Sequence, residues 1–264
     1  MEYDNLTVQR EEHVAVVTLN RLESNNTLSI GLMRELEGVA LRFRDDVETR
    51  VVVLTGTGKH FCLGADLKDP EHIAAMSMPL LERQRYFHLG PRMIRALRDM
   101  NQVTIAAING VSLGGGTCIA SALDFRIGTA DCSIGYPESN LAIPLSWVSL
   151  PLCMHLVGLA RAKRWIMTGE KLGADVLQEW GFLDEVVPPG DLMKRAREMA
   201  KTYASLSPIA VQMVKRSLNS LAGALDEAIM HMDSDQVILA QSTEDFQEAI
   251  MAFMQKRAPE FKGR

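Results

Sequence analysis

The spacing of apolar residues changes along the chain, and the changes outline a fold. Leu6–Gln9 alternates and His13–Leu19 runs apolar, with a polar break between them. The two segments read as paired strands. Asn25–Asn26–Thr27 is turn chemistry, and Ser29 stands where it can cap a helix reaching about Arg44. Arg50–Thr55 (RVVVLT) is apolar at successive positions and rich in β-branched residues, the pattern of a buried strand. Pro70–Met78 is ambiguous. The spacing predicts a helix over Leu80–Met100, interrupted or kinked at Gly90–Pro91. Val103–Ile108 is the next strand, followed by Gly114–Gly115–Gly116 and a helix to about Leu123. Phe125–Thr129 reads as another strand, and Ser133–Ser139 as irregular or extended.

Beyond Pro144 the pattern is mostly helical: Trp147–Val157, Ala160–Thr168, Ala174–Trp180, Leu192–Ser205, Ile209–Ala222 and two further helices to Lys256. Leu183–Val187 adds one extended piece. Strands alternate with helices first and helices dominate the last third, so the fold class is α/β with a helical C-terminal extension. A strand–turn–strand–helix unit recurs loosely three times, which points to a coiled, repeated core.

Composition narrows the function classes. At 264 residues and 47% hydrophobic, the chain suits one large domain, or a core domain with a helical appendage. The net charge of −5, with Lys and Arg dispersed, argues against nucleic acid as a partner. No apolar run reaches about 18 residues, so no membrane span is expected. The opening MEYDNLTVQREEH has no signal-peptide apolar core. Cys62, Cys118, Cys132 and Cys153 are spaced too widely for CxxC. Free thiols in a reducing cytoplasm are the expectation. The histidines form no HxH or HExxH pattern, so no metal site is expected.

Two glycine-bearing loops follow two buried strands. One is GTGKHFCLGADLK (Gly56–Lys68), which holds Gly64–Ala65–Asp66; the other ends in the glycine triplet. If the strands are neighbours, both loops sit at one edge of the sheet, where ligands bind in open α/β folds. Glycine lets a backbone N–H come close to a ligand, and the helix after the triplet points its positive end there. Two such N–H groups would form an oxyanion hole, where losing one donor costs about 3–4 kcal/mol. Tight helix–strand packing is the alternative for the triplet. A dinucleotide loop is disfavoured because GxGxxG is missing.

These loops, together with YPESNLAI and LVGLARAKRWIMTGEKLGADVLQEWGFLDEVVP, closely resemble the crotonase superfamily, the enoyl-CoA hydratases and isomerases. The resemblance runs from Leu19–Arg21 to Phe253–Phe261. It implies a crotonase-like spiral of repeated ββα units over residues 1–200, carrying an acyl-CoA site, and a helical trimerisation region over residues 201–264. Homotrimers, or hexamers built from two trimers, are implied. The substrate would be an acyl-CoA thioester, with CoA entering only as part of it and no separate cofactor. By position, the resemblance puts the oxyanion hole on the N–H groups of Ala65 and Gly115, with Gly64 and Gly114 beside them. Lys68 matches a lysine near the CoA phosphates. Phe253 and Lys256 match residues that a neighbouring subunit lends to the CoA site; simple solvation is the alternative for Lys256. Glu23 stands where some hydratases carry a CoA-contacting lysine.

Hydratases of this superfamily use two glutamates to hold and split a water. The second maps to Glu138, but the first maps to Cys118. A thiol has a reference pKa of about 8.5 and donates weakly, and losing an acid–base group costs about 10²–10⁴-fold. Cys118 therefore reads as a wall of an apolar acyl pocket beside Thr117, Ile119 and Ala122; a nucleophilic role would need a nearby base. Glu138 alone is enough for double-bond migration, so isomerisation with Glu138 as the single base is the first reading. Hydration with another group or a water network in place of the missing acid is the second, and acyl-CoA binding without chemistry the third. A solvated turn is the plain alternative for Glu138. Many hydratases carry PGAGG after that glutamate; here Pro144–Leu145–Ser146–Trp147–Val148 replaces it at unchanged distance from Val157–Gly158. Trp147 is expected to narrow the acyl pocket, with core packing as its alternative. Asp45–Asp46 and Glu11–Glu12 read as solvated turns and His60 as a loop-surface residue. Met230–Met232 reads as part of a packed or subunit-facing helix.

Overall fold

The computed structural model describes residues 3–264. The first half contains β1 (Leu6–Glu11), β2 (Val14–Leu19), α1 (Ile30–Asp45), β3 (Val51–Gly56), α2 (Pro70–Ala75), α3 (Leu80–Phe87) and α4 (Leu89–Arg98). It continues through β4 (Val103–Ile108), β5 (Val111–Leu113), α5 (Gly115–Ala122), β6 (Phe125–Thr129) and β7 (Ser133–Gly135). Then follow α6 (Ser149–Val157), α7 (Leu159–Thr168), β8 (Lys171–Gly173), α8 (Ala174–Glu179), β9 (Glu185–Val187) and α9 (Leu192–Ala204). The chain ends in α10 (Pro208–Ala222), α11 (Asp226–Met230), α12 (Asp233–Ala240) and α13 (Glu244–Gln255).

The main sheet has the order β1-β2-β3-β4-β6-β9. Only the β1–β2 pair is antiparallel. Both faces of β3 are covered, which explains its unbroken apolar run. Val52 and Leu54 face the core shared with α1 and α4. Val51 and Val53 face Leu192, Ala196, Met199 and Ala200 of α9. Each fully buried valine contributes about 1.5–3 kcal/mol, so α9 is part of this fold's core. A second layer runs β5-β7-β8, and single bridges join Leu28 to Ala65 and Cys62 to Ser112. Each circuit thus places a strand in the main sheet and a short extended piece in the second layer. Helices follow these pieces in the first three circuits. This is the ββα spiral, and it puts the loops after β3 and β4 side by side.

Local chemistry explains most boundaries, including those that differ from expectation. Ser29 caps α1, its Oγ accepting the Leu32 N–H at 3.2 Å. The ambiguous segment forms α2: Asp69 accepts the Glu71 N–H at 2.9 Å and Pro70 opens the helix, a position that needs no donor. The long helix predicted over Leu80–Met100 breaks at His88 rather than at Gly90–Pro91. Pro91 has no N–H for the Phe87 carbonyl, so it sits in the first turn of α4. The helix predicted from Trp147 begins at Ser149, because Trp147 and Val148 have φ of 59° and 60°. Ser133–Ser139 divides into β7 and a 3-10 turn over Pro137–Leu141. Three helices, not two, follow α10, and the last stops at Gln255 with Lys256 left-handed. The three-residue β8 is too short to leave a periodic signal.

The C-terminal helices are tied to the core by polar contacts. Lys215 of α10 is buried, with Nζ at 2.7 Å from Asp124 Oδ2 and donating to the Gln102 carbonyl at 2.7 Å. On α12, Asp235 accepts from Gln84 at 2.7 Å, and Gln241 just beyond accepts from Arg83 at 2.7 Å. The outer side of α10 leaves Ile209, Met213, Val214, Leu218 and Leu221 exposed. Among the described residues, no helix is long and apolar enough to cross a membrane.

Candidate active site

The corner between the β3 and β4 loops gathers most of the residues singled out from the sequence. Leu28 donates to the Gly64 carbonyl at 2.8 Å and accepts the Asp66 N–H at 3.1 Å. This bridge uses the groups flanking Ala65 and leaves the Ala65 N–H directed away from Leu28. The Arg21 guanidinium, 2.9 Å from Asp66, anchors the same loop. Gly115 opens α5, so its N–H has no intrahelical acceptor. A Cβ on Gly64 would lie 3.7 Å from the Gly115 nitrogen. The two glycine-bearing loops therefore touch beside the Gly115 N–H.

Glu138 approaches from the turn after β7. A Cβ on Gly114 would lie 3.0 Å from Glu138 Oε1, and Gly114 has φ of 51°, so this position needs glycine both for its backbone and for the approach. Glu138 Oε2 is buried with no hydrogen-bond partner among the described residues. Burial pushes the Glu138 carboxyl up to about 7, against the opposing pull of its own backbone N–H. Such a group holds or releases a proton near neutrality.

Cys118 lies one turn into α5 and is 2% exposed. Burial raises its thiol well above the ordinary range; the Glu138 charge raises it further, and the Ser149 hydroxyl pulls the other way. The thiol therefore stays protonated and neutral, unsuited to act as base or nucleophile. Tyr136 adds a buried polar neighbour, its hydroxyl 2.5 Å from Ser121 Oγ.

Trp147 fills space between two helices. Its Cζ3 and Cη2 lie 2.5 and 3.0 Å from where a Cβ on Gly115 would sit. On the other side, its Nε1 and Cε2 lie 2.2 Å from where a Cβ on Gly90 would sit. The indole thus spans from the first turn of α4 to the first turn of α5.

The structure brings together Gly64, Ala65, Gly114, Gly115, Cys118, Glu138 and Trp147. Lys68 is exposed just beyond the first loop, its backbone N–H bonded to Asp66 Oδ1 at 3.1 Å. Phe253, 64% exposed, and Lys256 lie at the far end of α13 on the surface, outside this cluster. Two contributors were missed in the sequence. Asp233, at the start of α12, is buried and accepts the Val148 N–H at 2.8 Å; in MDSDQ it looks like an ordinary first-turn acid. Gly90 reads as half of a Gly–Pro break, whereas it makes room for the indole.

A family model described as enoyl-CoA hydratase/isomerase matches residues 9–264. The chain is 34% identical over 266 residues to the short-chain-enoyl-CoA hydratase of Clostridium acetobutylicum, covering 100% of both. It is 30% identical over 262 residues to the crotonyl-CoA hydratase of Syntrophomonas wolfei, covering 99% of each. The crystal structure of an enoyl-CoA hydratase from Bacillus anthracis superposes with a TM-score of 0.77 at 34% identity, over 99% of this chain and 100% of that one. A carnitinyl-CoA hydratase from Mycobacterium avium gives 0.86 at 28% identity, over 98% and 99%. Fold and comparisons agree on a crotonase-type enzyme. The chain belongs to the enoyl-CoA hydratase/isomerase family.

Proposed function

We propose that this enzyme binds an enoyl-CoA thioester at the Glu138 corner and moves its double bond. The observation that carries the reading is a buried carboxylate, poised near neutrality, beside the two glycine-bearing loops and a neutral thiol. Glu138 takes a proton from C2 of a 3-enoyl-CoA. The electron pair moves into the thioester, and the oxygen charge of the dienolate is held by the Ala65 and Gly115 N–H groups. Glu138 then returns the proton to C4, giving the conjugated 2-enoyl-CoA. Lys68 reaches for the CoA phosphates. Phe253 and Lys256 serve a neighbouring subunit's CoA, and the exposed apolar side of α10 supports a homotrimer or a dimer of trimers. Four buried free cysteines accord with a reducing cytoplasm.

Hydration of a 2-enoyl-CoA is the second reading, favoured by the names of the Clostridium and Syntrophomonas relatives. It needs a group other than Cys118 to handle the second proton. Ultraviolet absorbance separates the two. Isomerisation creates conjugated-thioester absorbance from a 3-enoyl-CoA; hydration removes it from a 2-enoyl-CoA. Rapid loss with the 2-enoyl substrate and no gain with the 3-enoyl substrate overturns the first reading in favour of the second. Tight binding with neither change overturns both.

A further inference from the structure

Trp147 and Val148 adopt left-handed backbone conformations, with φ of 59° and 60°. Side chains rarely tolerate this, and a β-branched residue least of all. Two consecutive residues of this kind need something outside the segment to hold them. The partner is Asp233 of α12, whose Oδ2 accepts the Val148 N–H at 2.8 Å. Its other oxygen accepts from Ser234 Oγ at 3.2 Å, and that hydroxyl also reaches the Phe87 carbonyl at 3.3 Å. Asp233 is 4% exposed and has no ion-pair partner among the described residues. A buried carboxylate without a cation is a poor device for stability alone. Its placement is explained by what it holds.

What it holds is the indole. Gly90 and Gly115 are bare where Trp147 lies between them, so latch, wall and cradle come from the Asp233 helix, the Trp147 segment and the two glycine-bearing helices. The latch does not move freely, because α12 is fastened to α3 through Gln84–Asp235 and α3 runs directly into α4.

We propose that Asp233 is a positioning residue that sets acyl-chain length: by locking the left-handed Trp147–Val148 pair it seats the indole across Gly90 and Gly115 as the end wall of a short acyl pocket. This rests on the reading that the site takes an acyl-CoA thioester through Gly115. Acyl carbons extending from a thioester held there meet the indole within a few atoms, so short chains fit and long ones require the left-handed pair to turn.

The test uses binding, which does not depend on which reaction is catalysed. Calorimetry measures butyryl-CoA and decanoyl-CoA, both saturated and unreactive, on the wild type, W147G, D233A, D233N and G90A. The wild type is expected to prefer butyryl-CoA. W147G should shift the butyryl-to-decanoyl ratio towards decanoyl by about tenfold or more, the scale of steric discrimination in an apolar pocket. D233A should shift it the same way, and D233N, which keeps an oxygen acceptor for the Val148 N–H, should restore most of the preference. D233A should add little in the W147G background, since both act through the indole. G90A should not move the ratio towards decanoyl, because its methyl presses the indole from the side away from Gly115. Should D233A not fold, D233S, polar and too short to reach Val148, replaces it. A folded D233A or D233S with the wild-type ratio, or a wild type that binds decanoyl-CoA as tightly as butyryl-CoA, overturns the latch. A wild type that binds neither thioester overturns the acyl-CoA reading itself.

Discussion

Raising the pH through neutrality is expected to switch Glu138 on. A base must be ionised to take a proton, and burial places this carboxyl at about 7 instead of the ordinary 4.5. At pH 6 roughly one Glu138 in eleven is ionised, so kcat/KM should climb about tenfold per unit below 7 and level off above it. Turnover of a 3-enoyl-CoA, followed by conjugated-thioester absorbance from pH 5 to 9, measures the limb. E138Q should lower turnover by about 10²–10⁴-fold and remove the limb. The same shift has a stability consequence with a fixed sign. The folded carboxyl lies above the unfolded one, so its favourable contribution is complete below about 4.5, declines as pH rises to about 7, and is constant beyond. The change amounts to roughly 3 kcal/mol. In E138Q the buried amide costs about 1–3 kcal/mol at every pH, which leaves the slope as the diagnostic. Between pH 4.5 and 7 the wild type should lose stability relative to E138Q in urea titrations, because the other carboxylates cancel in the difference. A limb near 4.5, or one that survives E138Q, refutes the placement of Glu138 as a buried base.

Three further outcomes are expected. All four thiols are buried, and burial pushes Cys62, Cys132 and Cys153 up to about 12, so a thiol reagent at pH 8 should label none in the folded protein and all four after denaturation; rapid labelling of Cys118 would refute its reading as an inert wall. K215A removes the charge held by Asp124 and the Gln102 carbonyl, and should cost about 3 kcal/mol, the low end for a broken buried pair, because Thr104 still donates twice to Asp124; a change below 1 kcal/mol in urea unfolding would contradict it. L218E on the exposed side of α10 should reduce the proposed homotrimer to monomer in light scattering, with helix content preserved by circular dichroism; an unaltered mass would refute α10 as the proposed interface.

The parts legible in the sequence share a property: their chemistry is local. Ser29, the unbroken run of β3 and the glycine triplet each declare themselves within a few residues, and the structure puts them where their spacing implied. The meeting of the Gly64 and Gly114 loops was legible one step further, because two strands followed by glycine-bearing loops form a common edge once they are parallel neighbours. The interruption signalled by Gly90–Pro91 falls two residues upstream, at His88, because Pro91 has no N–H to give the Phe87 carbonyl and so fits the first turn of a new helix, where none is needed. Asp233 was hidden for a different reason. Its partner is 85 residues away, and nothing in the spacing of α12 marks one acid as buried and the next as paired to Gln84.

The Trp147–Val148 pair shows how a site can change its lining without changing its backbone. Glycine adopts a left-handed conformation without strain, whereas each non-glycine residue there costs about 1–2 kcal/mol. The resemblance places this pair where many hydratases carry the two glycines that end PGAGG, so the observed φ values are those a glycine segment would accept at no cost. Retaining them with tryptophan and valine leaves roughly 2–4 kcal/mol to be offset. A hydrogen bond to a charged group contributes about 1.5–3 kcal/mol, which is the scale of the Asp233–Val148 contact, and burial of much of an indole adds a comparable amount. The terms balance only with both present. The prediction that follows concerns V148G: it keeps the N–H and relieves about 1–2 kcal/mol of strain at that residue, but it also deletes a fully buried core side chain, a loss of about 2–4 kcal/mol, so the variant should be less stable than the wild type. The decisive comparison is D233A in the two backgrounds. D233A should destabilise the wild type more than V148G, because only the valine backbone depends on the latch to stay left-handed. Equal losses in urea unfolding would mean that Asp233 holds α12 in place and does nothing for the conformation of the Trp147 segment.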